Sequence, residues 1–301
     1  MPLGPRPKPS TAPVVVTIIG LGLIGASIGL ALRKANGFYQ VIGHDRSRDT
    51  ADRARKRGAV EREEWNLPAA VEKADVVVVA TPATAVEQVF RDAAPYLKPG
   101  AVVTDTASTK ADVCRWAQEI LPSGVSFVGG HPMAGKEQSG PDAADADLYR
   151  GCTWCLCAGD GATPAAIDTV AKLATDTGAR VLFVDPVEHD GEVAIISHLP
   201  FLLSVALVKT ASESPSWRDL SRLAAGGFRD ASRLASGNPE MHRDICITNR
   251  ESILRTLRQF RSDLDEVARA IDSDPAALER ILREAKEARD AWYAARYERH
   301  D

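Results

Sequence analysis

The sequence predicts an α/β fold: an N-terminal Rossmann-type, doubly wound and mainly parallel sheet, followed by an all-helical region. Three observations carry this. Apolar Val/Ile-rich runs alternate with helical stretches up to Asp185. A glycine-spaced turn joins the first run to the first helix. Beyond Asp185 the strand-like runs stop.

The predicted strands are Val14–Ile19, Gln40–Asp45, Asp75–Ala80, Ala101–Thr106, Ser126–Gly130, Cys152–Ala158 and Arg180–Asp185. Several are continuously apolar rather than alternating, as strands covered on both faces by helices must be. Helices are predicted to begin near Gly25, Arg48, Thr84, Lys110 and Thr163. Then come His189–Thr210 as one long apolar helix, Trp217–Ala224, and two charged helices over Pro239–Ile271 and Pro275–His300. The last alternates acids and bases at i,i+4 spacing, the pattern of a partly solvated helix. The expected organisation is an arm at 1–13, a nucleotide-binding domain at 14–185 and a helical domain at 186–301. A helix as apolar as His189–Thr210 needs more cover than one small layer supplies, which predicts a homodimer through the helical domain.

With 301 residues, 45% of them hydrophobic, the chain can bury a sizeable core. A net charge of −4 gives no reason to expect nucleic-acid or membrane partners. The proline-rich, basic first 13 residues lack an apolar signal core and read as a disordered arm. No run of about 18 apolar residues stands out as a membrane span. Cys152, Cys155 and Cys157 share one strand-like run without a second ligand pair nearby, so they read as buried thiols rather than a metal site. Free thiols fit a cytoplasmic protein.

The turn reads Gly20-Leu-Gly22-Leu23-Ile24-Gly25 after a strand and at the start of a helix, the context in which this spacing binds a dinucleotide. Gly20 permits the turn, Gly22 leaves room for a pyrophosphate, and Gly25 lets helix and strand approach. The helix N-terminus then offers N–H groups to phosphate. Asp45, at the end of the second strand, suits the ribose hydroxyls and disfavours a 2′-phosphate, which points to NAD; Arg46 beside it would tolerate a phosphate. Thr81, Pro82 and Thr106, at the carboxyl ends of later strands, complete the expected cofactor-binding set with Leu23 and Ile24.

Three polar segments stand where apolar ones are expected: Asp105–Lys110, Gly129–Glu137, and Ser197-His198 within the apolar helix. A histidine at a strand's carboxyl end suits proton acceptance during hydride loss, which makes His131 the candidate base. His198 reads equally well as a core or a site residue, and His189 and Asp190 as residues of a helix N-terminus. Arg229 and Arg233, one turn apart, are candidate carboxylate ligands.

Taken together, GLGLIGAS, DTASTK, GGHPMAGKEQSG, EHDGEVAIISHLP and GGFRDASRLASGNPEMHRDI, in this order over residues 14–271, resemble the prephenate dehydrogenase family. The resemblance implies NAD-dependent oxidative decarboxylation of prephenate to 4-hydroxyphenylpyruvate, in tyrosine biosynthesis. It implies that His131 polarises the ring hydroxyl, that Ser108 orients that histidine and the substrate, and that Arg233 binds a carboxylate. Ser197 and His198 would line the site, and Glu137, Arg229 and Asp230 would form a charged entrance, partly across a dimer.

Three positions depart from the common family pattern: Phe201 where many members carry histidine, His242 where many carry tryptophan, and Lys136 where smaller residues are usual. They bear on the choice between prephenate and arogenate, and a cationic Lys136 within reach would disfavour the ammonium of arogenate. A β-hydroxyacid dehydrogenase and a non-catalytic nucleotide-binding protein are the rival readings. The first would carry its catalytic lysine or aspartate where Ser197-His198 stands; the second would need neither His131 nor Arg233.

Overall fold

The computed structural model describes residues 12–35, 38–136, 138–159 and 161–297. The expected arm lies almost wholly outside them. Eight strands form one sheet: β1 (Val14–Ile19), β2 (Tyr39–His44), β3 (Arg62–Glu63), β4 (Val76–Val79), β5 (Val102–Asp105), β6 (Ser126–Pro132), β7 (Thr153–Ala158) and β8 (Arg180–Phe183). Their order is β3-β2-β1-β4-β5-β6-β7-β8, every neighbouring pair being parallel except β6–β7. The chain reverses direction across the sheet between β1 and β4, so the carboxyl ends of those two strands flank the crevice where such sheets take ligands.

The four valines of β4 show why the sheet must be covered twice. Val76 and Val78 enter one buried cluster with α1 (Leu23–Lys34), α2 (Arg48–Lys56) and the later α6 (Pro164–Asp176). Val77 and Val79 enter a second cluster with α3 (Leu67–Val71), α4 (Val86–Ala93) and α5 (Ala111–Ile120). Alternate side chains of one strand thus feed opposite faces. Strand β3 and helix α3, both very short, were not expected from the sequence; too few residues carry their periodicity.

Strand β6 runs to Pro132, two residues past the expected Gly130, and pairs His131 with Cys155 of β7. The candidate base therefore stands on a strand rather than in a loop. The five cysteines are free thiols, with Cys155 and Cys157 buried. Burial pushes the Cys114 thiol up to about 12, which leaves it unreactive.

The expected single helix after Asp185 is α7 (Pro186–Val193), a π-turn (Ala194–His198) and α8 (Leu199–Ser212) in one continuous run. Pro200 has no N–H to give back to the preceding turn, and the widened π-turn just before it accommodates that loss. An 18-residue window of this run has mean hydropathy 1.8, long and apolar enough by length and composition to cross a membrane, as core helices of soluble proteins also are. Asp185 caps α7, its carboxylate accepting from Val187 N–H at 2.8 Å and Glu188 N–H at 3.1 Å. His189 and Asp190 are therefore not the helix terminus the sequence suggested; both are buried. Helices α9 (Trp217–Leu223), α10 (Gly226–Ser232) and α11 (Pro239–Thr248) follow. The helix expected over Pro239–Ile271 is broken at Asn249.

Contacts gather the chain up to Arg250 into one compact body and from Glu251 onward into a second. The second holds most of α12 (Arg250–Ser273) and all of α13 (Pro275–Tyr297). Along α13, Lys286 pairs with Asp290 at 2.6 Å and the Arg289 guanidinium lies 4.3 Å from the Tyr293 ring centre. These are the solvent-side pairs its charge pattern predicts.

Candidate active site

The turn after β1 is built as its glycines require. Gly20 has φ +94°, and a Cβ there would lie 2.5 Å from the Ala80 carbonyl oxygen at the end of β4. A Cβ on Gly25 would strike the Gly20 carbonyl, whereas one on Gly22 would meet nothing within 4 Å. Helix α1 has no side-chain cap, so its leading N–H groups face that open side of the turn. Asp45 follows β2 and is held in place: one carboxylate oxygen accepts from Leu21 N–H and the other from Ser47 N–H, both at 2.8 Å. Thr81, just past β4, carries a buried Oγ1 with no hydrogen-bond partner among the described residues. An open glycine turn, uncapped helix N–H groups, a prepositioned carboxylate and an unsatisfied hydroxyl fit a dinucleotide. Pro82, Thr106 and the exposed Arg46 stand at the same carboxyl ends.

His131 lies 8% exposed at the end of β6, and its Nδ1 is 2.9 Å from Nε2 of His189. His189 Nδ1 is in turn 2.9 Å from Asp190 Oδ1. The Asp190 carboxylate caps α5, accepting from Lys110 N–H at 2.7 Å and Ala111 N–H at 2.9 Å. Beneath this chain Lys110 Nζ is paired with Asp105, and both side chains are wholly buried. Asp105 also accepts from Ala107 N–H at 2.8 Å and Gly130 N–H at 3.0 Å, which ties the loop after β5 to the strand that carries His131. Burial, reinforced by His189, Lys110 and His198, holds the His131 pKa well below its usual value. The imidazole is thus neutral at neutral pH, with a lone pair to offer.

His198, at the end of the π-turn, is buried and approached by Asn249 Nδ2 at 3.3 Å. The same amide donates to the Asp190 carbonyl at 2.7 Å. Burial lowers the His198 pKa to about 4 against an opposing pull from Asp190. A consequence for stability follows. The unfolded chain takes up this proton near pH 6.5, while the fold resists it down to about 4. The stabilisation is complete above the unfolded value and is lost as pH falls through this window, amounting to about 3 kcal/mol. Urea unfolding across that range should show the loss, and a His198→Gln variant should show less of it. An equal loss in the variant would remove His198 as its source.

Of the other expected residues, Ser108 sits half-buried on the loop after β5. The hydrogen-bond partner of His131 is His189 rather than Ser108. Ser197, Arg229, Asp230 and Arg233 are exposed, and Arg229 pairs with Asp230 at 3.0 Å. Lys136 is engaged with Asp145 at 3.0 Å. Glu137 lies outside the described residues. The two unusual aromatic positions meet: Phe201 and His242 stack at 3.4 Å between ring centres and 8° between planes. The sequence reading missed Asp190, His189, Asn249 and the Asp105–Lys110 pair as parts of the site. A His-Asp pair eight residues ahead of Ser197-His198 was the available signal. A cavity of about 510 Å³ at the amino-terminal end of β6, lined by Cys114, Arg115, Gln118 and Phe127 among others, includes neither His131 nor His198. Buried polar groups, not cavity size, locate the chemistry here.

Comparison with known proteins agrees with this geometry. Residues 28–183 match the family described as "Prephenate dehydrogenase, nucleotide-binding domain", and 185–286 the one described as "Prephenate dehydrogenase, dimerization domain". A prephenate dehydrogenase of Bacillus subtilis is 34% identical over 91% of this chain and 75% of its own length. A cyclohexadienyl dehydrogenase of Zymomonas mobilis is 34% identical over 91% of this chain and 94% of its own. A crystal structure of prephenate dehydrogenase from A. aeolicus, in complex with hydroxyphenyl propionate and NAD+, superposes with TM-score 0.87 at 28% identity, covering 94% of this chain and 99% of that one. Synechocystis arogenate dehydrogenase superposes with TM-score 0.82 at 29% identity, covering 93% and 100%. With a Rossmann turn fit for NAD, a buried, neutral histidine at the carboxyl end of β6 and family matches across both regions, this chain belongs to the prephenate dehydrogenase family.

Proposed function

We propose that this chain is an NAD-dependent prephenate dehydrogenase, converting prephenate to 4-hydroxyphenylpyruvate and CO2. The observation that carries this reading is a neutral, buried His131 at the carboxyl end of β6, in a family whose relatives are named for this reaction. Gly20, Gly22, Gly25, Asp45 and Thr81 would hold the cofactor, which when bound accepts a hydride. His131 receives the hydroxyl proton of the substrate ring as hydrogen leaves the same carbon. The ring carboxylate departs as CO2 and the ring becomes aromatic. His131 then returns the proton to the phenolic oxygen, so no net proton is released. Ser108 orients the hydroxyl, and Arg233 clamps a substrate carboxylate with Ser197 and His198 beside it.

The test is NADH formation at 340 nm with prephenate, arogenate and 3-hydroxyacids offered separately, each with NAD+ and NADP+. Turnover of prephenate with NAD+ is expected; no turnover of prephenate or arogenate would refute the reading. Arogenate is the second substrate reading, supported by the similar Synechocystis enzyme named for it. Lys136 favours prephenate only if it leaves Asp145. An Arg233→Gln change should raise KM about tenfold or more with little change in kcat. An unchanged KM would make Arg233 structural.

We further propose a boundary between nucleotide-binding and helical domains near Pro186, a homodimer through the helical domain, and a cytoplasmic location. Ile195 and Ile196 are 58% and 67% exposed on the apolar helix, which supports cover by a second copy. Glu137, Arg229 and Asp230 belong to the proposed entrance. Sedimentation should give twice the mass of 32.3 kDa; a monomer at micromolar concentration would exclude the dimer.

A further inference from the structure

Two buried hydrogen-bond chains end on the imidazoles of His131 and His198, and they end with opposite polarity. The first begins at Asp190. Both its carboxylate oxygens accept backbone N–H groups at the start of α5. The carboxylate is therefore an acceptor, and the ring nitrogen 2.9 Å away, His189 Nδ1, must carry the hydrogen. In neutral His189 the other nitrogen, Nε2, is then the acceptor. Its neighbour at 2.9 Å, His131 Nδ1, must in turn carry a hydrogen, which leaves Nε2 of His131 as a free lone pair. The second chain begins at Asn249. Its Nδ2 donates to the Asp190 carbonyl at 2.7 Å, which fixes that atom as the amide nitrogen. Its remaining hydrogen points the 3.3 Å contact toward His198 Nδ1 as acceptor, leaving Nε2–H of His198 as a donor.

We propose that Asp190–His189 and Asn249 are positioning groups that set the two site imidazoles in complementary tautomers, His131 with Nε2 as proton acceptor and His198 with Nε2–H as donor. A ligand with a hydroxyl to give up and an anionic or carbonyl oxygen to be held meets both needs. The proposal rests on the functional reading above and deepens it. The proton accepted at His131 Nε2 is matched by transfer of the Nδ1 proton to His189 Nε2, so the positive charge comes to rest on the His189 imidazolium, 2.9 Å from the Asp190 carboxylate; both transfers reverse when the product oxygen is reprotonated. The groups facing His131 are His189 from α7, Lys110 at the start of α5 and His198 from the π-turn. Those facing His198 are Asp190, His189 and His242.

The test begins with 15N-labelled histidine in the full-length wild-type protein, read by ring-nitrogen chemical shifts at neutral pH. Nδ1–H at His131 and Nε2–H at His198 are expected; the opposite tautomer at either ring overturns the assignment there. This readout does not depend on turnover, so it stands apart from a failure of the functional reading, which would show as no NADH from prephenate or arogenate in the wild type. In kinetics, His189→Leu should cut kcat about 100-fold or more, because loss of a tautomer-holding group is costly to a catalytic histidine. KM and NAD affinity should stay within about threefold, the split expected of a group that acts through His131 on the chemical step. His189→Gln, whose amide can accept from His131 and donate to Asp190, should recover most of that loss. Asn249→Ala should raise KM about tenfold at nearly constant kcat. A His189→Leu enzyme with unchanged kcat, or equal losses in the Leu and Gln variants, would overturn the proposal.

Discussion

Replacing His131 by asparagine is expected to lower kcat about 10³-fold, within the range that a positioned general base contributes. The effect follows from the site's chemistry. His131 is buried and held neutral by desolvation, so it offers a lone pair without first losing a proton. Asparagine keeps similar polarity and bulk but cannot take a proton from the substrate hydroxyl. The glycine turn and Asp45 belong to other strand ends, so NAD affinity should stay within about twofold by fluorescence titration, which a transition-state-only loss requires. A variant with wild-type kcat would remove His131 as the base. A variant that also failed to bind NAD would show that the residue shapes the fold instead.

The second large effect lies beneath the histidine. Lys110 and Asp105 are paired with no exposure on either side chain. Lys110→Met would leave Asp105 as a buried anion with only its two backbone donors, Ala107 N–H and Gly130 N–H. Breaking such a pair costs about 3–5 kcal/mol, against about 1–2 for an average substitution. At roughly 2–4 °C per kcal/mol for a body of this size, Tm should fall by on the order of 10 °C. The double change Lys110→Met with Asp105→Asn removes both charges and should regain part of that loss, the signature of coupling in a double-mutant cycle. A single Lys110→Met variant as stable as the wild type would show that backbone donors alone satisfy Asp105. Because Gly130 N–H and the His131 strand hang on the same carboxylate, the single variant should lose activity as well as stability.

Much of the site was legible because its chemistry sits in short local motifs. Gly20, Gly22 and Gly25 are needed within one turn of chain, and Asp45 terminates the strand beside it. His131 was visible as a polar residue at a strand end where an apolar one was expected. Asp190 and Asn249 were not, because each works across a long sequence separation. Asp190 caps a helix about 80 residues earlier in the chain, and Asn249 reaches His198 only because α11 stops one residue before it. In the sequence, Asp190 reads as a helix-start acid and Asn249 as a mid-helix residue.

Local patterning by itself determined the alternation of strands and helices, the dinucleotide turn and the placing of the candidate base at a strand end, since strand and helix periods and glycine sterics act over a few residues. The tertiary structure alone decided what surrounds His131. It extended β6 so that His131 is held on a strand. It buried the Asp105–Lys110 pair beneath that strand, and it laid His189 and Asp190 between His131 and α5. It also stacked Phe201 on His242. The physical reason is that hydrogen-bond direction and desolvation depend on which distant groups exclude water together, and no stretch of sequence records that meeting.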